Sequence, residues 1–309
     1  MTRALALALL AIALGTPAVA AEDLIGAPRT YVTADEDTLL DVARRFDLGY
    51  VELKAANPGV DPWLPGAGTP ITLPTAHLLP DAPRRGIVIN LAEQRLYYFP
   101  KGGGPVVSYP LGIGRQGWET PLGATRVVRK RVKPTWHPPA SIRALNPDLP
   151  RAAPPGPANP LGDFALDLGW PAYLIHGTNN PWGVGRRVSS GCIRLYPEDI
   201  AALFPRVAVG TPVRVVDQPV VLGWSRGRLY LAVHPSIRQA DEIEREGAFK
   251  TRESLPDLVA RVLDAAGNAE ARLDWAAIAR AAREHWGIPV AITPAPACGN
   301  DAATCATTS

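Results

Sequence analysis

The sequence has 309 residues, with 32 Lys or Arg against 29 Asp or Glu and a formal net charge of +3 at pH 7. So small an excess, with no basic run, points away from nucleic acid, while a mildly basic surface suits an acidic polymer. The length allows a catalytic core plus one small module, so two domains are expected.

Residues 1–21 read as a signal peptide. Arg3 precedes an apolar run from Ala4 to Leu14 that is shorter than the roughly 20 residues a bilayer requires. Ala18-Val19-Ala20 or Val19-Ala20-Ala21 supplies the small residues of a cleavage site. The mature chain is expected to start at Ala21 or Glu22 and to be soluble outside the cytoplasm. No cysteine follows the cleavage site to carry a lipid, and no later run is long and apolar enough for a membrane span.

Residues 28–76 form the first module. A short strand at Tyr31-Val32 leads through Asp35-Glu36-Asp37 to a helix with Leu39, Val42, Ala43 and Phe46 on one face, opened by a Thr38/Asp41 capping pair. A second helix over Tyr50–Ala56 stops at Asn57-Pro58-Gly59, and Pro70–Pro74 reads as a closing strand. This strand, helix, helix, strand order, with Thr38-Leu39 opening and Ala56-Asn57-Pro58-Gly59 closing, resembles a LysM carbohydrate-binding module. Glu36 departs from the Gly usual there, a change that bears on glycan affinity more than on fold.

After a linker at His77–Arg85, residues 84–217 change to short strands. A hairpin is expected from Gly86–Leu91 and Arg95–Phe99, with further strands at Val106–Leu111, Thr125–Val132, Phe164–Leu168, Tyr173–Ile175 and Val213–Val216. This domain is mainly β. The Pro- and Ala-rich stretch Lys133–Pro160 is too long for an idle connection and reads either as a lid over a groove or as a rigid surface loop. Residues 218–292 add a hairpin (Val220–Trp224, Arg228–Val233) and two helices. One is capped by Ser254, carries Leu255, Leu258, Val259, Val262 and Leu263 on one face, and ends at Gly267; the other runs from Asp274 to Gly287. Residues 293–309 look disordered.

Two familiar patterns fail on their surroundings. Gly112-Ile113-Gly114-Arg115-Gln116-Gly117 spells a dinucleotide fingerprint, but Trp118-Glu119-Thr120-Pro121 follows where a helix must begin. Gly223-Trp224-Ser225-Arg226-Gly227 spells a nucleophile elbow, but a strand follows the serine. There is no Ser-x-x-Lys and no His-Glu-x-x-His, so serine and zinc peptidases lose their support.

Of the three cysteines, Cys298 and Cys305 are close enough in sequence to bridge, which leaves Cys192 unpaired. Alone, a cysteine is more often an inert core residue, and a lone histidine a structural one. Their neighbours here are unusual: His176-Gly177-Thr178-Asn179-Asn180-Pro181-Trp182-Gly183, then Ser189-Ser190-Gly191-Cys192-Ile193-Arg194. A cysteine nucleophile needs a nearby base, which His176 supplies if the loop folds back. Ser189, Ser190 and Gly191 are small enough to admit a carbonyl, and N–H groups near Gly191 and Cys192 are candidates to hold an oxyanion. A helix starting near Cys192 would add its dipole.

This run resembles the signature of the YkuD family of L,D-transpeptidases, His-Gly-Thr-Asn, a Gly-rich loop, and Ser-His-Gly-Cys-Ile/Val-Arg. The likeness extends over about Tyr31–Val233 and is nearest to the periplasmic ErfK/YbiS type with an N-terminal LysM module. It implies a YkuD-like β-sandwich with Cys192 as nucleophile, His176 as base and the Gly177 carbonyl orienting the imidazole. Arg194 would support the loop or meet a substrate carboxylate. The substrate implied is the peptidoglycan tetrapeptide stem: D-Ala leaves, a thioester forms, and a stem-peptide amine or an outer-membrane lipoprotein lysine resolves it. Hydrolysis would be a carboxypeptidase side reaction. No metal or organic cofactor is implied. Ser190 stands where many members have His, so a change in loop or thiol pKa is expected with the chemistry retained.

Trp136 and Trp182 are candidates to line the groove, with packing the alternative. Arg186 and Arg187 would steer acidic stems or lie solvated on a loop. His77, His137, His234 and His285 read as structural or surface residues. The rival reading is a non-catalytic peptidoglycan-binding wall protein. A papain-like peptidase is weaker, because there the cysteine precedes its histidine.

Overall fold

The computed structural model describes residues 22–295. The leader, Cys298 and Cys305 lie outside them. Strands β1 (Leu24–Gly26) and β2 (Arg29–Val32) begin the described chain. Helix α1 (Leu39–Arg45) starts where the Thr38 hydroxyl accepts the Asp41 N–H at 3.1 Å, and α2 (Tyr50–Ala56) follows it. Strand β3 (Pro70–Leu73) pairs antiparallel with β2, closing a βααβ unit around Leu39, Val42, Leu53, Ile71 and Leu73.

The expected linker is in part structured. Strand β4 (Ala76–Leu78) pairs with β1, and Leu78 packs against Val221 and Ala232 of the C-terminal hairpin. Partners that distant leave no local signature, which is why the segment reads as a connection.

The central region holds β5 (Gly86–Asn90), β6 (Arg95–Phe99), β7 (Val107–Pro110), the short β8 (Ile113–Gly114), β9 (Gly123–Val132), β10 (Phe164–Leu168) and β11 (Leu174–His176). Helix α3 (Ala140–Leu145) lies between β9 and β10. Next come β12 (Arg187–Ser189), β13 (Ile193–Arg194), α4 (Pro197–Leu203) and β14 (Pro212–Val216). Eight of these strands form one mixed sheet in the order β13-β11-β10-β9-β14-β5-β6-β7, while β8 and β12 pair separately. Alternation puts Leu166, Ile175 and Ile193 into the main core, so the opposite face is left to the polar residues between them.

Strands β15 (Val220–Ser225) and β16 (Arg228–Val233) form the expected hairpin. Arg226 and Gly227 both have positive φ, as a tight hairpin turn requires, so the Ser225 region is a turn and not an elbow. Helix α5 (Ile237–Glu246) was not expected. Ser236 and Gln239 form its capping box and Gly247 closes it in the left-handed region. Helix α6 (Leu258–Ala266) starts later than the sequence suggested, because Pro256 disfavours a helical Leu255, and Ser254 is not its cap. Its buried stripe is Leu258, Val262 and Ala266, with Val259 and Leu263 exposed. Helix α7 (Trp275–Glu284) is capped by Asp274, and β17 (Val290–Ala291) adds to β16.

The three parts meet through close backbone and charge contacts. Gly49 and Gly185 approach so closely that the Val51 N–H donates to the Gly185 carbonyl at 3.0 Å. Arg95, fully buried, donates to Glu52 at 2.9 Å and to the Asp47 carbonyl at 3.0 Å.

Candidate active site

Strand β11 ends at His176, and β13 runs parallel beside it with Ile175 opposite Ile193 and His176 opposite Arg194. Cys192 stands one residue before β13, so alternation puts Cys192 and Arg194 on the same sheet face as His176. The loop joining the two strands is braced from within. Ser189 Oγ donates to the Cys192 carbonyl at 2.6 Å and accepts the Gly191 N–H at 3.2 Å, and Thr120 Oγ1 donates to the Gly191 carbonyl at 2.9 Å. Gly191 has φ +97°, and a Cβ there would lie 2.8 Å from the Tyr173 ring, so only glycine fits.

The imidazole of His176 is buried, and its Nδ1 lies 2.5 Å from the Gly177 carbonyl. A carbonyl only accepts, so Nδ1 carries the proton and the neutral ring keeps its lone pair on Nε2. Burial lowers the His176 pKa to about 3, with Arg194 and Arg131 pushing the same way, so the ring is a neutral base. Burial pushes the Cys192 thiol up, against the Leu174 N–H and the charges of Arg194 and Arg131. Both shifts oppose charge separation, so the resting pair is thiol and neutral imidazole. The Cys192 thiol donates to the Ala172 carbonyl at 3.5 Å.

Cys192, His176, Ser190 and Arg194 open into a cavity of about 520 Å³. Trp118 and Tyr173 line one part of it, and Trp136, Ile142 and Pro160 another. The 133–160 segment is an ordered wall. Trp136 and Ala153 exchange backbone hydrogen bonds of 2.9 and 2.8 Å, and buried Asn159 donates to the Pro134 carbonyl at 2.7 Å. A thiol, a neutral imidazole and a walled groove can perform acyl transfer on an extended substrate.

Comparison with known proteins agrees with this chemistry. Residues 84–215 match the YkuD family, the L,D-transpeptidase catalytic domain. The chain is 44% identical over 226 residues to the Escherichia coli (strain K12) protein named Probable L,D-transpeptidase YcfS, covering 70% of this chain and 71% of that one. The chain belongs to the YkuD family of L,D-transpeptidases. This L,D-transpeptidase is also 43% identical over 232 residues to Probable L,D-transpeptidase ErfK/SrfK of Salmonella typhimurium, covering 72% of this chain and 75% of that one. Among solved structures it is similar to the Enterococcus faecium L,D-transpeptidase catalytic domain, at 23% identity and TM-score 0.35, covering 44% of this chain and 100% of that one. It is also similar to L,D-transpeptidase 3 of Mycobacterium tuberculosis, at 20% identity and TM-score 0.33, covering 49% and 67%.

In this L,D-transpeptidase several sequence expectations change. No helix begins near Cys192: β13 follows it, and α4 starts only at Pro197 with the Pro supplying its first turn. The Gly191 N–H is taken by Ser189 Oγ, so it is not available to an oxyanion, whereas the Cys192 N–H has no protein acceptor among the described residues. Ser189 is fully buried and braces the loop, while Ser190 faces the cavity and accepts from Arg115 Nη1 at 3.2 Å. Trp136 lines the cavity, but Trp182 faces a separate groove beside Arg44 and Arg45 of the βααβ unit.

Arg186 and Arg187 are each paired with an acidic residue of α5, Arg186 partly exposed and Arg187 buried. Arg186 binds Glu244 at 3.2 Å and lies over the Tyr50 ring, and Arg187 is buried against Asp241 at 2.8 Å. His77 also has partners, since its Nδ1 is 3.2 Å from Glu93 Oε1 and 3.5 Å from Glu52 Oε1. The sequence reading missed Arg129, Arg131 and Asp167. The i, i+2 spacing of the two arginines on a strand was the available signal.

Proposed function

We propose that this L,D-transpeptidase acts on peptidoglycan tetrapeptide stems in the periplasm, through a thioester on Cys192. His176 Nε2 takes the thiol proton as Sγ attacks the carbonyl joining the third stem residue to the terminal D-Ala. Transfer is concerted with attack, because both pKa shifts disfavour a resting thiolate–imidazolium pair. The free Cys192 N–H stabilises the oxyanion as the tetrahedral intermediate forms. When the C–N bond breaks, imidazolium Nε2 returns the proton to the departing D-Ala amine.

His176 then deprotonates the incoming amine, which displaces Sγ, and the imidazolium returns that proton to the departing thiolate. That amine belongs to another stem peptide or to a lipoprotein lysine, and water in its place gives carboxypeptidase activity. The Gly177 carbonyl keeps Nδ1 protonated throughout, the role a carboxylate has in a triad. Residues 1–21 direct export, and the βααβ unit acts as a LysM-like module that holds the glycan.

The observation that carries this reading is the Nδ1–Gly177 hydrogen bond, which fixes a neutral, base-competent His176 in the cavity that holds Cys192. Tetrapeptide muropeptides incubated with the mature protein and a lysine-bearing acceptor are expected to lose D-Ala and gain the acceptor mass. The Cys192→Ala protein should do neither. Intact tetrapeptide in both samples would favour a non-catalytic wall-binding protein instead.

A further inference from the structure

The sheet register places charged residues in rows with the reacting pair. Across β9, β10, β11 and β13, Arg131 is opposite Ala165, Ala165 opposite His176, and His176 opposite Arg194. In the next row Arg129 is opposite Asp167 and Asp167 opposite Leu174, the position level with Cys192. Opposed residues share a face, and alternate residues on a strand return to it, so both arginines are on the face of the reacting pair.

Asp167 sits between the two arginines. Arg131 donates to Asp167 Oδ1 through Nε at 3.1 Å and Nη2 at 2.7 Å, and Arg129 Nε binds Oδ2. One carboxylate between two guanidiniums leaves a net positive charge. The Nη1 group of Arg131 and both terminal nitrogens of Arg129 have no protein acceptor among the described residues, and Arg194 Nε is buried without one. Arg129, Arg131 and Arg194 all line the Cys192 cavity, and no Asp or Glu is among its lining residues. Such a wall repels cations and is satisfied by an anion with planar, paired oxygens.

We propose that Arg129 and Arg131 form a carboxylate-binding subsite for the acyl donor, so that the enzyme selects stem peptides bearing free carboxylates over amidated ones. The proposal rests on the transpeptidase reading above for the donor's identity. Asp167 is a positioning residue, holding one edge of each guanidinium and leaving the other N–H groups for the ligand. A carboxamide presents one acceptor oxygen and an NH2 that meets only donors, so it loses the charge-assisted pair.

The test uses tetrapeptides with all carboxylates free and tetrapeptides with a single carboxamide, on the third residue or at the terminal D-Ala. Affinity is measured by calorimetry with the full Cys192→Ala protein, and turnover with the wild type and Arg131→Gln. The free acid is expected to bind roughly 10- to 100-fold tighter than one of the two amides, which identifies the carboxylate that is read. In turnover that ratio should appear mainly in KM, and Arg131→Gln should reduce it to near one. Asp167→Asn should give an intermediate ratio.

Equal binding of all three donors, or a ratio unchanged in Arg131→Gln, would overturn the subsite. Binding needs no turnover, so the two readings fail separately. Discrimination without Cys192-dependent D-Ala release would remove the reaction and leave the subsite, whereas release without discrimination would do the reverse.

Discussion

Gly185 lies in the left-handed region at φ +70°, and a Cβ there would come 2.1 Å from Gly49 Cα, 2.2 Å from Tyr50 N and 2.4 Å from Gly49 C. Carbon contacts are comfortable at about 3.5–4.0 Å, so Gly185→Ala must part the two backbones by more than about 1 Å. That movement takes the 3.0 Å bond from Val51 N–H to the Gly185 carbonyl out of range. The left-handed conformation costs an alanine about 1–2 kcal/mol. Overpacking adds about 1–3 kcal/mol, and the lost hydrogen bond about 1 kcal/mol. The expected total of roughly 3–6 kcal/mol is a large part of the ~5–15 kcal/mol a native protein holds in reserve.

The control is Gly59→Ala. Gly59 has φ +83°, but nothing lies within 4 Å of where its Cβ would stand, so it reports the conformational penalty alone. Chemical denaturation of the three proteins, followed by tryptophan fluorescence, gives the comparison, and D-Ala release measures the effect on the loop between His176 and Cys192. A Gly185→Ala protein no less stable than Gly59→Ala, within about 0.5 kcal/mol, would refute the claim that this contact holds the units in register.

Three further outcomes are expected. Arg95→Met removes the buried partner of Glu52 and should destabilise by about 3–5 kcal/mol, much of it recovered in the double variant with Glu52→Gln, as a denaturation double-mutant cycle would show. His176 has its pKa lowered to about 3 from the ordinary 6.5, so the unfolded chain binds its proton first and stability falls as pH drops through that window. The slope is about 1.4 kcal/mol per pH unit for this one group, and His176→Gln should lack it, leaving the slopes from His234 and His285, which are shifted the same way. Asp199 is pushed in the opposite direction by burial and by the facing Asp47, so its contribution is present at low pH and lost as pH rises. Asp199→Asn should therefore exceed the wild type in stability at pH 8 by about 1 kcal/mol or more, with the gap closing near pH 4 in denaturant titrations.

What the sequence made legible was local. Thr38 and Asp41, the Asn57-Pro58-Gly59 breaker and the alternation of Gly86–Asn90 act within one turn or one strand, and the structure forms those elements nearly where expected. Helix α5 was missed because only Ala240 and Ile243 are its buried apolar residues, although Ser236, Gln239 and Gly247 mark both ends. Strand β4 depends on β1 and on a hairpin far away in the chain, and nothing near His77 reveals either. In the site, the His176 and Cys192 runs were visible as motifs. Arg129 and Arg131 were not, because alternating basic residues on a strand read as a solvent face until Asp167 is placed opposite.

The same distant contacts bear on how the site is built. Residues 177–191 must return the chain so that Arg194 comes level with His176 and Cys192 level with Leu174 on the same face, and within that loop Ser189 and Thr178 supply only short-range braces. The rest of its support comes from other parts of the molecule. Gly185 is fixed against the βααβ unit at Gly49 and Val51, Arg186 lies over Tyr50 and binds Glu244, and Arg187 is buried against Asp241. A module joined only by a tether would leave this loop free to adjust when the module moved. Here α2 and α5 each grip the loop and also pack on each other through Val51, Ala55, Ala240 and Ile243, so displacing one of them loosens the other's hold. The flanking units are therefore part of what sets the distance between His176 and Cys192, a distance on which the proposed acyl transfer depends steeply.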